Sequence, residues 1–273
     1  MSTPAIVEIF IIGNEILIGD IQDTNTHWLC KEINGMGGFI SRVTMLRDVS
    51  GIIADEMRAA LGRGAQVIFT SGGLGPTADD LTLAAVAQGV GLEVRLHEQA
   101  LQMVRERYDE LTAQGVLTQG GLNASREKMA WLPKGAIPLH NPVGTAPAVL
   151  LHTGRTTIVS LPGVPSELKG IFNTSLQPFL QETFQGGTSV IRTVTVQSND
   201  ESLMEPVLTR MVKEHPSIYI KSLARTLGES QEIDIVLTAV GSDEPELNSL
   251  VDAALEELRE GLTAIGIGHR TKH

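Results

Sequence analysis

One cysteine, Cys30, stands among 273 residues. A disulfide framework is therefore excluded, and so is a zinc site built on thiolates. The burial habit of cysteine places Cys30 in the packing of the helix that follows Thr26. Aromatic residues make up 4% of the chain, too few for a base-stacking platform. Positive charge is also short: 21 Lys and Arg face 32 Asp and Glu, a net charge of −11. That balance opposes a non-specific nucleic-acid or anionic-membrane surface, so neither partner is expected. No apolar run approaches the roughly 18 residues of a membrane span. The opening Met-Ser-Thr-Pro carries no basic stretch, and a cytoplasmic protein is expected. The histidines show no HExxH or close pair. Neither a Walker loop nor the GxGxxG dinucleotide fingerprint is present.

What is present is glycine, 28 residues of it, in a chain that is 42% hydrophobic. Apolar runs ended by glycine alternate with helical spacing through the first two thirds. Strands are expected at 5–12, 39–46, 67–70, 148–151 and 157–161. Helices are expected from Thr26 or His27 to about Met36, then over 52–61, 98–113 and 166–172. This alternation predicts an α/β fold, a mostly parallel sheet with helices on both faces. Ligands of such sheets collect at the carboxyl ends of the strands, and residues 13–25, 47–50, 71–80 and 162–167 all follow strand ends. The composition shifts near Gln185-Gly186-Gly187. Beyond it a small α+β unit is expected: strand 190–196, helix 202–212, strands 217–223 and 232–240, helix 244–260. The domains are accordingly drawn at 1–185 and 186–273.

The chemistry concentrates in loops. Thr70-Ser71-Gly72-Gly73-Leu74-Gly75-Pro76-Thr77-Ala78-Asp79-Asp80-Leu81-Thr82 leads from a strand into a helix. Its glycines permit close backbone approach and its amides suit an anion. One carboxylate would suffice to cap the helix, and two adjacent acids exceed that need. The loop Gly13 to Asn25 holds Glu15, Asp20 and Asp23, hard oxygen ligands of the kind Mg²⁺ or Mn²⁺ takes. It could equally be a solvated loop that caps the next helix through Thr24 or Asn25. Asp48, after the second strand, has the ordinary reading of a cap or surface acid. The segments 141–147 and 161–168 are turns fixed by proline and glycine, whose amides could line a pocket. Glu167 and Lys169 read more readily as an exposed helix face than as cleft residues.

Four segments together resemble the CinA family, and more distantly the MogA and MoaB molybdenum-cofactor proteins. They are Ile12-Gly13-Asn14-Glu15-Ile16-Leu17-Ile18-Gly19, Gly72 through Thr82, Asn141-Pro142-Val143-Gly144-Thr145-Ala146-Pro147, and Leu161-Pro162-Gly163-Val164-Pro165-Ser166-Glu167-Leu168. The resemblance implies a molybdopterin-binding-like α/β domain followed by a small KH-like domain. With no GxxG between Gly186 and Gly268, RNA binding is not expected from the latter. The amidase domain of full-length CinA proteins has no counterpart here, so no deamidase activity is expected.

The resemblance further implies a pyrophosphatase acting on ADP-ribose or a related nucleotide diphosphate, dependent on Mg²⁺, Mn²⁺ or Co²⁺. Asp80, Asp48 and Glu15 match the family's acids and are expected to hold the metal and serve catalysis. Gly72, Gly73, Gly75 and Thr77 match its phosphate-cradling turn. Ser71, Asn25, Gly144, Thr145, Pro162, Gly163 and Ser166 complete the expected substrate contacts. A homodimer is the family habit. Two other readings stand beside this one: a molybdopterin-binding or transfer protein, and a non-catalytic nucleotide-binding module. Of the paired acids, Asp80 is assigned the metal and Asp79 is left as the possible helix cap.

Overall fold

The computed structural model describes residues 4–184, 187–198, 200–223 and 232–272. Gln185 and Gly186, where the composition shifts, lie outside them. The chain divides into two compact units. One comprises residues 5–33 and 39–183; the other comprises residues 34–38 and the described residues from Phe184 onward.

The first unit is built on β1 (Ile6–Ile12), α1 (Asn14–Leu17), α2 (Asn25–Gly35), β2 (Phe39–Leu46), α3 (Ser50–Arg63), β3 (Val67–Ser71), α4 (Thr82–Val90), β4 (Val94–Leu96), α5 (Glu98–Ala113), α6 (Ala124–Lys128), β5 (Trp131–Pro133), β6 (Ile137–Leu139), β7 (Ala148–Thr153), β8 (Thr156–Leu161), α7 (Pro165–Phe172) and α8 (Gln177–Phe184). Six strands form one sheet in the order β2-β1-β3-β8-β7-β6. The first four are parallel, and β7 and β6 add antiparallel at one edge. β1 and β3 are buried along nearly their whole length, as central parallel strands covered on both faces must be.

Alternate residues of β1 serve opposite layers. Phe10 and Ile12 enter a core with Ile53 and Met57 of α3, Val86 of α4 and Val104 of α5. On the other side Phe69 meets Phe172 of α7, whose ring is met edge-on by Trp28 of α2 at 4.9 Å. Helices thus cover both faces. The apolar pattern does not reveal β4, β5 and β6, because three-residue strands are too short for alternation to register. β4 and β5 pair apart from the main sheet.

The second unit holds β9 (Thr188–Val196), a 3₁₀ turn (Glu201–Leu203), α9 (Glu205–Glu214), β10 (Tyr219–Leu223), β11 (Ile233–Gly241), α10 (Glu244–Ala264) and β12 (His269–Lys272). Its antiparallel sheet runs β10-β11-β9-β12. Val194, Ile235 and Leu237 pack there with Met211 of α9 and Val251 and Leu258 of α10. The helix expected at 202–212 starts later, because Pro206 is accommodated only in a first turn. β12 is a further strand beyond the expected pattern. Among the described residues no helix is long and apolar enough to cross a membrane.

One charged residue lies inside the first unit. Glu8 faces inward from β1, and its carboxylate takes both Nε and Nη2 of Arg63, at 2.8 and 2.6 Å. Arg63 ends α3 and also reaches Glu56, so the hydrogen bonds it donates to Glu8 and Glu56 push its pKa above the usual arginine value. Replacing only the cation would leave Glu8 buried and unpaired. Arg63→Met should therefore destabilise the protein by about 2–3 kcal/mol, short of a fully enclosed pair because Arg63 is partly exposed. Double substitution with Glu8→Leu should recover most of that loss, and urea unfolding of the three variants measures both effects.

Candidate functional site

The ends of β1, β2, β3 and β8 open on one cleft of about 530 Å³. This is the carboxyl edge of the parallel strands. Residues 12–13, 15–16, 21–25, 48, 71–76, 79–80, 162–165 and 167 contribute to its walls, joined by Thr145 and Ala146 from the entry to β7. Such a volume suits a nucleotide-sized or pterin-sized molecule.

Backbone contacts hold the wall together. The Gly72 amide donates to the Leu161 carbonyl at 3.0 Å, and the Gly13 amide to the Leu46 carbonyl at 3.1 Å. Gly72 has φ 111°, and a Cβ there would stand 2.0 Å from the Ile12 carbonyl oxygen. No other residue fits. Gly73, at φ 68°, faces Thr82 at the start of α4, whose buried hydroxyl donates to the Gly72 carbonyl at 2.7 Å. The glycine loop is thereby folded back onto its own helix. The amides of Gly73, Leu74 and Gly75 make no hydrogen bond to another described residue.

The paired acids do not cap α4. Its cap is Leu81, with no side-chain bond. Asp80 Oδ2 instead accepts from the Thr77 amide at 2.8 Å and faces its hydroxyl at 2.7 Å, while Asp79 takes the same hydroxyl. The cap expected of Asp79 is absent because the loop turns both carboxylates toward Thr77. Lys128 donates to the Thr77 carbonyl from α6. The Thr77 hydrogen bond, then a backbone hydrogen bond and lastly the Lys128 charge, hold the Asp79 carboxyl below the usual carboxylate range. Nothing in the sequence marks Lys128, which lies 51 residues from Thr77.

Asp48 is neither a helix cap nor a surface acid. Its Oδ2 accepts from the Asn14 amide at 2.7 Å, tying the β2 exit to the first loop. Burial raises its pKa, and the charges of Glu15 and Asp79 raise it further against the Asn14 hydrogen bond. The capping expected of Thr24 or Asn25 falls to Asp23, whose Oδ1 accepts from the Asn25 and Thr26 amides at 3.0 and 3.1 Å. Asn25 turns inward and is buried. Its Nδ2 donates to Ser71 Oγ at 3.0 Å and to the Gly163 carbonyl at 2.7 Å.

Glu167 also departs from its expected place on an exposed helix face. It lines the cleft, and its Oε2 accepts from Asn141 Nδ2 at 2.7 Å. Of the expected site residues, Glu15, Asp48, Asp80, Asn25, Ser71, Gly72, Gly73, Gly75, Thr145, Pro162 and Gly163 line the cleft together. Thr77, Gly144 and Ser166 do not. Thr77 orients the acids, and Gly144 sits beneath Glu167, where a Cβ would come within 1.9 Å of Oε2.

Glu15, Asp23, Asp48, Asp79, Asp80 and Glu167 all line the cleft, with no Lys, Arg or His among its walls. Carboxylate oxygens are the donors a hard divalent cation takes. Yet among the described residues no three His, Cys, Asp or Glu side chains converge to hold one.

Residues 8–182 match the model of a family described as "Probable molybdopterin binding domain". A protein of Pyrobaculum calidifontis is 36% identical over 253 residues, which cover 92% of this chain and 94% of the relative. One of Aeropyrum pernix is 38% identical over 260 residues, covering 94% of each. Among solved structures, the protein CinA of Thermoplasma acidophilum is 31% identical with a TM-score of 0.58, covering 64% of this chain and 98% of that one.

The Asp48 shift carries a sign. An acid whose folded pKa is raised stabilises the fold only while protonated, and that contribution is lost as pH rises through the folded value. Asp48→Asn keeps an acceptor for the Asn14 amide and removes the charge. It should raise the unfolding midpoint at pH 7 in the presence of a chelator. The gain should vanish as pH falls below the ordinary aspartate pKa of about 3.9. Denaturant titrations across that pH range read the difference.

Proposed function

Since the chain belongs to the probable molybdopterin-binding domain family, we propose that its cleft binds a phosphate-bearing ligand of the pterin type, with the glycine loop receiving the phosphate. The observation that carries this reading is the run of free amides at Gly73, Leu74 and Gly75 on the cleft wall. Successive unpaired N–H groups in a turn with positive φ form a concave donor set for an anion. The start of α4, with no side chain over its cap, adds the favourable end of a helix dipole.

A second reading, hydrolysis of ADP-ribose or a related nucleotide diphosphate, is favoured by Asp48. A carboxyl pushed upward by burial and by neighbouring acids is better suited to take a proton from an attacking water than an ordinary aspartate. The excess of carboxylates over cations means that a diphosphate enters with its charge already neutralised. A divalent ion carried by the ligand supplies that neutralisation. Glu15 and Asp80 then face the phosphate end, and Thr77 holds Asp80 in place.

Calorimetric titration with a pterin phosphate and with ADP-ribose, each with and without Mg²⁺, separates the readings, with chromatography of the ADP-ribose mixtures. The pterin phosphate is expected to bind, and Gly73→Ala to abolish binding of either ligand. Should AMP and ribose 5-phosphate appear, Asp80→Asn is expected to lower turnover by about 10²-fold while the thermal midpoint is kept. Failure of both ligands to bind overturns the proposal. Binding without cleavage removes the hydrolase reading alone.

A further inference from the structure

The cleft has a chemical polarity that phosphate binding does not use. Unpaired amide donors lie on the glycine loop, and two acceptors not aimed at them, Asn25 Oδ1 and the Glu167 carboxylate, also line the cleft. Asn25 provides the first. Its amide orientation is fixed, because the Gly163 carbonyl can only accept and so must face Nδ2. Oδ1 is left buried with no hydrogen-bond partner, in a residue only 6% exposed that lines the cleft. Burying an acceptor without a donor costs free energy that a bound donor would return.

Glu167 provides the second. Asn141 is buried, and all its hydrogen-bonding capacity is used. Its Oδ1 accepts from the amides of Val143 and Gly144 at 3.0 and 2.8 Å, and its Nδ2 donates to the Ala146 carbonyl and to Glu167. Arg107 grips the same loop from outside through the carbonyls of Val143 and Gly144. The loop is therefore rigid beneath the Glu167 carboxylate, and Gly144 leaves the space that carboxylate fills. No ion pair joins Glu167 to a described Lys, Arg or His. A carboxylate held this firmly, in a cleft that also holds an unsatisfied amide oxygen, is an arrangement for accepting hydrogen bonds from neutral groups.

We propose that Asn25 Oδ1 and Glu167 accept from O–H or N–H donors on the part of the ligand that carries no phosphate. Two structures present such donors: the cis-hydroxyls of a ribose, and the amino group with the ring N–H of a pterin. The inference rests on the phosphate-ligand reading of the same cleft, and it assigns selectivity to side chains other than the unpaired loop amides, Asn25 being anchored to Ser71 and Gly163. A site built around buried acceptors discriminates strongly against an analogue that lacks the matching donor.

The test uses paired probes without phosphate: adenosine against 2′-deoxy- and 3′-deoxyadenosine, and neopterin against its analogue with oxygen in place of the amino group. Inorganic pyrophosphate is titrated separately. Wild type is expected to favour the intact member of one pair at least tenfold. Glu167→Ala should bring that ratio to about one while pyrophosphate still binds, no more weakly than to wild type. Glu167→Gln, which preserves the volume, gives the same ratio test should the alanine variant not fold. Which pair is discriminated identifies the ligand class. An equal ratio in wild type and variant, no discrimination by wild type, or no binding of either pair overturns the inference. Discrimination that persists without pyrophosphate binding sinks the phosphate reading and leaves the donor reading standing.

Discussion

The site depends on how closely three stretches of backbone approach one another at Gly72. Its amide is bonded to the end of β8, its missing side chain makes room for the last carbonyl of β1, and its own carbonyl is held by Thr82. Gly163 lies against it, with 3.3 Å between an added Cβ and the Gly72 Cα. Strand ends that would otherwise fan apart with the sheet's twist are drawn into one rim. The amides of residues 73–75 are left over by this closure. Binding capacity is here a by-product of backbone bonds spent elsewhere.

That rim sets fixed donors against an excess of negative charge. Carboxylates gathered in a cleft repel one another unless something relieves them. The relief takes different forms along the wall. Asp80 has the Thr77 amide, Asp48 the Asn14 amide, Asp23 the first amides of α2, and Glu167 the Asn141 side chain. These four acids are positioned by neutral N–H groups rather than by a cation. Positions are thus fixed while the charge remains available to whatever enters.

Much of this was legible in the sequence, and the failures are instructive. The alternation of apolar runs locates β1, β2, β3 and β8, and the rule that loops after parallel strands converge then assembles most of the cleft. What escapes is direction. Nothing in the spacing of Asp79 and Asp80 tells that both turn to Thr77 instead of the helix end. Nothing in Ser166-Glu167-Leu168 reveals that Glu167 rotates over Gly144 toward Asn141. Lys128 escapes because its contact spans the intervening α4, β4 and α5. The very short strands β4, β5 and β6 escape because three residues cannot display a period.

The antiparallel β7 has a consequence for the chain's own continuity. Because it runs against β8, it enters the sheet at the cleft and turns back at Thr153–Thr156, where Gly154 adopts φ 55°. Both limbs that feed the site, residues 141–147 and 162–167, therefore lie at the opposite end of that hairpin. The turn between them is the natural place for the polypeptide to be cut, lengthened or rejoined in a new order. Such a rearrangement would leave the rim's backbone bonds intact, since none of them passes through residues 153–156.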